Sequence, residues 1–188
     1  MTNGLVVMTP SSIAYSGTSA SINADGSVVF SACTSLSLNG VFTSDYDNYM
    51  VTMRCAGTST NRTLKFRLRS GGTDESSASN YYAYQQIQAQ GTAVAGARTA
   101  AINEGRLFVV GHGGGNEKSG GSCYFFGPYL AQPTAVRAVA VSNYDVLPSV
   151  VISEYVTTHS LSSSYDGLTV YPSGNLLTGL VTVFGFNQ

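Results

Sequence analysis

The sequence predicts an all-β protein that folds as a single antiparallel β-sandwich, of the jelly-roll kind. Apolar and polar residues alternate with a period of two in several segments, and these segments recur at intervals of about 10–15 residues. No stretch of about twelve residues has the apolar stripe of an amphipathic helix. A chain of 188 residues is long enough for one domain with its own core. We therefore expect residues 1–188 to form one domain, with residues 1–30 as a candidate extended docking arm.

The clearest strands are predicted at residues 49–55 and 64–69. Both segments alternate apolar and polar side chains, which is typical of a half-buried strand. Residues 56–61 join them, and we expect a hairpin loop there. Other strands are predicted at Val28–Phe30, Thr34–Leu38, Tyr81–Gln88, Arg106–Val110, Cys123–Phe126, Val136–Ser142, Val150–Thr157, Leu168–Tyr171 and Leu180–Phe186. Gly, Asn, Asp and Ser separate these segments, as turns require.

Residues 93–104 form the one helical candidate. The alanines in this segment favour a helix. Gly91, Gly96 and the lack of an apolar stripe argue against it. We expect a loop or an irregular strand.

Charge is scarce in this chain. Charged residues make up 10% of it and hydrophobic residues 43%, whereas an ordinary soluble domain has about 25% charged residues. High apolar content with little charge excludes intrinsic disorder. A net charge of −1 gives little repulsion between copies and favours association. We expect a surface that is partly covered by other subunits.

The three cysteines, Cys33, Cys55 and Cys123, are far apart and odd in number. This spacing suits neither a disulfide framework nor a zinc site. We expect small buried residues in a protein made in a reducing cytosol. No apolar run approaches the ~18 residues of a membrane span, and the start lacks the features of a secretory signal. We expect no membrane insertion.

Candidate catalytic and metal-binding groups are few. Gly111–Gly115 reads GHGGG, like an esterase oxyanion loop, but the Gly-x-Ser-x-Gly nucleophile elbow of that chemistry is missing. His112 and His159 have no partner at metal-ligand spacing. Asp45 and Asp47 suit turn hydrogen bonds; the alternative, a calcium loop with Asn48, lacks the later Gly and Glu of such loops. We expect no catalytic residue, no metal and no cofactor.

One basic cluster is predicted on the hairpin described above. Pairing its two strands would place four basic side chains on one polar face: Arg54, Lys65, Arg67 and Arg69. Like charges on facing strands repel, so we expect acidic turns of the same chain or of a neighbour to pair with them, the candidates being Asp45, Asp47, Asp74 and Glu75. Plain solvation and an acidic host polysaccharide are the alternatives. Nucleic acid is disfavoured by the slightly negative net charge.

Tyr81, Tyr82 and Tyr84 form a cluster that glutamines follow. Tyrosine suits subunit interfaces and cores, because its ring buries area and its hydroxyl finds a partner. Stacking on a glycan is the alternative, although the chain has no Trp to provide the largest stacking surface.

Three parts of the chain resemble proteins of tailed bacteriophages. They are the run Thr34–Tyr49, which ends in VFTSDYDNY, the string FRLRSGGT with Asn80–Gln85 after it, and the ending Gly179–Phe186. These are similar to segments of small tail-fibre-like or minor structural virion proteins, including those of cyanophages. Phe184 replaces the usual tyrosine of the terminal VYG pattern, and its ring can still pack.

This resemblance implies a non-enzymatic virion protein, made in the host cytoplasm. It implies a homotrimer associated with the tail or a fibre, in contact with other virion proteins and with a host surface glycan as a candidate partner. It carries over no catalytic residue. A capsid decoration or head-fibre protein is the first alternative, and a free carbohydrate-binding module or cryptic glycosidase is the second. A glycosidase requires two convergent carboxylates, and the acidic residues of this chain are scattered.

Overall fold

The computed structural model describes residues 4–57, 62–88, 94–111, 119–143, 150–174 and 176–187. Strands make up 69% of the structure, and these ranges contain no helix. The fourteen strands are β1 Val6–Val7, β2 Ser12–Ile22, β3 Val28–Asn39, β4 Asn48–Gly57, β5 Arg62–Ser70, β6 Thr73–Asp74, β7 Tyr81–Gln88, β8 Val94–Ile102, β9 Gly105–Val110, β10 Ser119–Phe126, β11 Thr134–Asn143, β12 Val150–His159, β13 Gly167–Pro172 and β14 Leu177–Phe186.

All strands belong to one antiparallel sheet that divides at β3. One edge of β3 pairs with β2, and the other pairs with β14 over residues 28–33 and with β13 over residues 36–38. The longer branch continues as β14-β4-β10-β11-β12-β7-β8. The shorter branch continues as β13-β5, with β9 and β6 on the far edge of β5. The all-β, antiparallel prediction is confirmed, and its form is one curled sheet shaped like a half-barrel.

The core lies between the two branches. The curl brings β9 of the shorter branch against β11 and β12 of the longer one. Phe66 of β5 meets Phe125 of β10 at a ring distance of 5.2 Å, and Phe42 packs on Phe125 at 5.7 Å. Gly105 allows β9 to approach, because a Cβ there would lie 2.1 Å from the Phe66 ring. Period-two alternation on both branches thus supplies one shared apolar interior.

The predicted hairpin between residues 49–55 and 64–69 is wrong. Both segments are strands, but β4 pairs with β14 and β10, whereas β5 pairs with β13 and β9. Alternation defines a strand and its buried face, but it does not choose the neighbouring strand. The joining residues 58–61 lie outside the described residues.

The helical candidate is a strand, as its glycines indicated. Residues 94–102 form β8, with a register shift where it passes Tyr81 and Ala83 of β7. The N-terminal segment also lies in the sheet: β1 pairs with the end of β14, and β2 runs along β3. Most side chains of β2 are exposed.

The turn before β4 is held by a buried tyrosine. The Tyr49 hydroxyl accepts a hydrogen bond from the Thr43 N–H at 2.7 Å and faces the carbonyl oxygens of Thr43 and Tyr46 at 2.7 and 3.0 Å. Asp45 lies in the turn, where its N–H approaches the Thr43 hydroxyl at 3.3 Å. The Asp47 N–H donates to Asn187, which ties the turn to the end of β14. Both residues lie in this turn, and the Asp45 carboxylate accepts from the Thr43 hydroxyl at 3.4 Å; bonds from the two carboxylates to the backbone stay a prediction.

Candidate subunit interface

Two neighbouring strands of the longer branch, β11 and β12, carry apolar side chains on the inner face of the sheet and also on its outer face. In β12, Val151 and Tyr155 point into the core, while Ile152 and Val156 point outward and are exposed. In β11, Ala138 and Ala140 are buried between the exposed Val139 and Val141. An antiparallel sheet with one solvated face normally has polar residues on that face. The outer face of these strands therefore has the composition of a surface that becomes covered.

We call the apolar surface on the outer face of β7, β8, β11 and β12 the outer patch. Its members are between 37% and 60% exposed: Tyr82, Tyr84, Val94, Val139, Val141, Val150, Ile152 and Val156.

The strand register makes the outer patch continuous. Val141 lies opposite Ile152, and Val156 lies opposite Tyr84. The charged pair within it is Arg137 with Glu154, at 2.7 Å and largely exposed. Such a pair contributes little to stability, so apolar contact dominates what this surface can offer a partner.

A shallow depression crosses the outer patch beside β7. It is lined by Tyr82, Tyr84, Arg98, Val156 and Thr158 and has a volume of about 260 Å³. Small-molecule sites usually enclose about 300–1,000 Å³. This open depression suits a single side chain or one sugar ring.

The predicted tyrosine cluster is divided between the two faces of β7. Tyr81 is fully buried: its hydroxyl accepts from the Leu68 N–H and donates to the Glu75 carbonyl, both at 3.0 Å. Burial also raises the pKa of Tyr81 well above the ordinary tyrosine value. Tyr82 and Tyr84 are exposed on the opposite face. Tyr81 is therefore a core residue, and only the other two can contact a partner.

The predicted four-residue basic face does not form, because Arg54 lies on β4 and the other three lie on β5, which is not its neighbour. On β5, Lys65, Arg67 and Arg69 do share one side, as the alternation predicted. Each of them has partners within its own chain. The expected pairing of basic side chains by acidic turns is therefore internal for this strand.

Arg69 is the most buried of these cations. It forms an ion pair with Asp74 and donates to the Thr169 hydroxyl at 2.6 Å and to the Ser37 hydroxyl at 3.0 Å. Its Nε donates to the Asn39 side chain at 3.0 Å. These groups come from β3, β5, β6 and β13, so the guanidinium connects the shorter branch to β3. It is a structural group, not a contact site.

Lys65 and Arg67 each find partners within the chain, near the place where β5 lies between β9 and β13. The Lys65 ammonium lies 2.5 Å from Glu104, and the other oxygen of Glu104 accepts from the Tyr171 hydroxyl at 2.9 Å. The Arg67 guanidinium lies 5.2 Å from the Tyr171 ring centre and donates to the Asn103 carbonyl. Of the acidic partners that we predicted, only Asp74 pairs with this strand; Glu104 was missed, because it lies far along the chain.

Candidate metal-binding groups do not cluster in the part of the chain that the structure describes. No three His, Cys, Asp or Glu side chains there are close enough to hold a metal ion. His159 is buried between Tyr81 and Tyr165, with ring centres 4.5 and 5.2 Å away. His112 lies outside the described residues.

The three thiols are free and buried. Burial raises the pKa of Cys55 to about 12 and that of Cys123 further still. A protonated, enclosed thiol is unreactive, and the prediction of buried cysteines is confirmed.

Sequence reasoning missed most of the outer patch. Its signal was present in the unbroken apolar runs Ala138–Val141 and Val150–Ile152. An unbroken run in a strand makes both faces apolar, whereas we interpreted these runs only as strands.

No helix among the described residues has the length and apolar character needed to cross a membrane. A comparison with protein-family models and with curated proteins finds no match to this chain.

Proposed function

We propose that this protein is a non-enzymatic structural component of a phage virion, a homotrimer associated with the tail or a fibre that contacts the host surface. The outer patch is the surface that attaches it to other copies or to neighbouring virion proteins. The phage-like segments described above motivate the virion context and the trimer. The exposed apolar face is the single observation that carries the assembly role.

The size of the outer patch supports this role. Four strands about 4.8 Å apart, each contributing about eight residues of ~3.4 Å, cover on the order of 500–600 Å². A lone soluble protein rarely exposes more than about 300–600 Å² of contiguous apolar surface. A stable interface needs about 800 Å² from each partner. The outer face of these four strands provides much of that area, and Arg98, Arg137 and Glu154 share it with the apolar side chains.

The sheet itself suits such a role. We propose that the division at β3 and the packing of β9 over β11 and β12 correspond to the two layers of a sandwich of the jelly-roll kind. An experimental structure tests this: two facing sheets joined through β3 are expected, and an open single-layer sheet would contradict it.

The oligomeric state tests the assembly role directly. Multi-angle light scattering at micromolar concentration should give a trimer for the unmodified chain. Val141→Lys combined with Ile152→Lys should give a folded monomer, because two charges would be buried in the interface. Ser162→Lys adds charge at an exposed loop outside the outer patch and should remain trimeric. A monomeric unmodified chain would remove the intrinsic trimer and leave assembly by other virion proteins.

The tail location competes with a capsid decoration role, in which the same surface would attach to the shell. Electron microscopy of virions labelled with an antibody against this chain separates the two. We expect label on the tail or its fibres; label over the capsid would favour decoration.

A carbohydrate-binding role is the second candidate, and the depression beside β7 favours it. Tyr82 and Tyr84 are exposed next to Arg98 and Thr158, a combination of stacking and polar groups that suits a sugar ring. Titration of host-surface polysaccharide should show weak binding that Tyr82→Ala with Tyr84→Ala removes, while the trimer persists. Binding that the double substitution leaves intact would exclude this depression as the glycan site.

A further inference from the structure

One path through the sheet begins and ends on strands with one free edge. The path is β2-β3-β14-β4-β10-β11-β12-β7-β8. At its ends, β2 pairs with β3 and β8 pairs with β7. No described strand pairs with the other edge of either one. The two edges are similar in length, since β2 has 11 residues and β8 has 9.

Both edges lack most of the features that normally protect a terminal strand, although each strand has one register irregularity, at Ser16–Gly17 in β2 and opposite Tyr81–Ala83 in β8. Edge strands are usually short, charged, interrupted by proline or covered. β2 contains no charged residue and no proline, and β8 contains one charged residue, Arg98. Their side chains are exposed on both faces, apart from Ile13 and Ala20 in β2 and Thr99 and Ile102 in β8, which are partly covered. Such edges present unpaired backbone donors and acceptors that another strand can use.

We infer that the free edge of β8 in one copy pairs with the free edge of β2 in the next copy. This rests on the proposed homo-oligomer and identifies the segments that meet in it. Small side chains, mostly Ser, Ala and Gly in β2 and Ala and Gly in β8, leave both edges accessible. Because β2 lies within residues 1–30, the candidate docking arm, this pairing would join the arm of one copy to β8 of the next copy.

Symmetry favours this pairing over pairing of β8 with itself. A β8–β8 contact has a two-fold axis, so it stops at a dimer and leaves both β2 edges open. A β2–β8 contact is head-to-tail and uses both edges of every copy, and it forms a ring when the rotation between copies closes, as the proposed trimer requires. Val94 and Tyr84 place the outer patch beside the β8 edge. Backbone pairing at this edge would therefore add to the contact area that the outer patch alone lacks.

Cross-linking between singly substituted chains tests which strands meet. One chain carries Cys at Ala14, Thr18 or Ser21 of β2, and the other carries Cys at Ala95 or Ala97 of β8; all five positions are exposed. The native thiols are buried, so a short bismaleimide reports only the introduced ones. We expect β2–β8 cross-links in mixed samples and none in samples of either chain alone. Cross-links between two β8 cysteines would overturn the inference, and Ser162→Cys provides the control for random encounter.

Edge-blocking variants give a second, independent test. Ala95→Lys with Ala97→Lys blocks β8, and Ala14→Lys with Thr18→Lys blocks β2, because lysine prevents edge pairing. Each variant alone should be a folded monomer. A mixture of the two should form a heterodimer, since each retains the edge that the other lacks. Ser162→Lys should remain trimeric.

The outcomes separate this inference from the proposed function. A trimer in the unmodified chain that survives both edge-blocking variants would overturn the β2–β8 pairing and leave the homotrimer standing. A monomer in the unmodified chain would overturn both.

Discussion

At the scale of single residues, the buried polar groups of this protein should contribute more to its stability than its surface charges do. Arg69, Tyr49 and Tyr81 each place a polar atom in the interior and find hydrogen-bond partners there, which for Arg69 include Thr169, 100 residues away. A buried polar group that loses its partner costs far more than an exposed one. Substitutions at such groups should therefore separate clearly from substitutions at the surface.

The ion pair of Arg69 with Asp74 provides a direct comparison. Asp74→Ala should destabilise the fold by about 3 kcal/mol, because it leaves a buried guanidinium without its counter-charge. Glu154→Ala breaks the exposed pair with Arg137 and should cost at most about 1 kcal/mol. Urea unfolding of both variants measures the difference. Equal losses would show that Arg69 is solvated and not held by this network.

His159 should make the fold sensitive to mild acid. It is 1% exposed, and neither ring nitrogen has a hydrogen-bond partner among the residues that the structure describes. Burial lowers its pKa below the ordinary value of 6.5, and the Glu75 carboxylate only partly opposes this. The unfolded chain therefore binds a proton as the pH falls through about 6.5, while the folded chain does not. The contribution of neutral His159 to the free energy of unfolding is therefore fully present above that pH and is lost progressively below it.

The variant His159→Phe isolates this effect. It keeps an aromatic ring against Tyr81 and Tyr165 but cannot titrate. Between pH 7.5 and 5.5, about the range in which an ordinary histidine takes up its proton, the unmodified chain should lose stability and the variant should lose much less. Parallel losses in urea unfolding would assign the acid sensitivity to carboxylates instead.

At the scale of elements, the turn before β4 depends on the strand that follows it. The Tyr49 hydroxyl is the hydrogen-bond partner of the Thr43 backbone. The Tyr46 ring packs so closely on Gly185 that a Cβ at this glycine would lie only 2.4 Å from it. The turn therefore packs against both β4 and the end of β14. The motif that drew attention in the sequence is a structural corner.

Tyr49→Phe tests the corner. The ring still fills the core, but the Thr43 N–H loses its partner, which should cost about 1–3 kcal/mol. Hydrogen exchange should rise at residues 43–47 and remain unchanged in β11 and β12. A uniform rise across the sheet would mean that the tyrosine supports the whole core and not the turn.

At the scale of the whole molecule, association should not depend on charge. The basic side of β5 was expected to pair with acidic turns of the same chain or of a neighbour, and pairing with a neighbour would make assembly salt-sensitive. Lys65 and Arg69 are instead paired with Glu104 and Asp74 of their own chain. Apolar contact and backbone pairing are little affected by screening, whereas exposed charge pairs weaken within a Debye length of ~10 Å at 0.1 M salt.

The oligomer should therefore persist from about 50 mM to 1 M NaCl, a range over which the Debye length falls to about 3 Å. Sedimentation velocity at a fixed protein concentration measures this. If the oligomer dissociates at high salt and forms again when the salt is diluted, charged side chains hold the interface and this prediction is wrong.

The sequence by itself determined most of the strands and, where apolar and polar residues alternate, the side that is buried, but it did not predict β1, β2 and β6. Residues 49–55 and 64–69 are strands with their apolar residues inside, and Gly91 and Gly96 correctly argued against a helix over residues 93–104. These outcomes follow from a local property, because successive side chains of a strand point to opposite faces. The same rule, applied strictly, would have separated Tyr81 from Tyr82 and Tyr84.

Only the tertiary structure decided which strands are neighbours. The backbone edge of β5 accepts β13 as readily as β4, since ladder hydrogen bonds carry no side-chain identity. Closing a longer loop costs little more than closing a short one, so nearness in sequence did not select β4. Three features follow from which strands are neighbours. They are the ion pair of Lys65 with Glu104, the hydrogen bonds of Arg69 to Ser37 and Thr169, and the continuity of the outer patch.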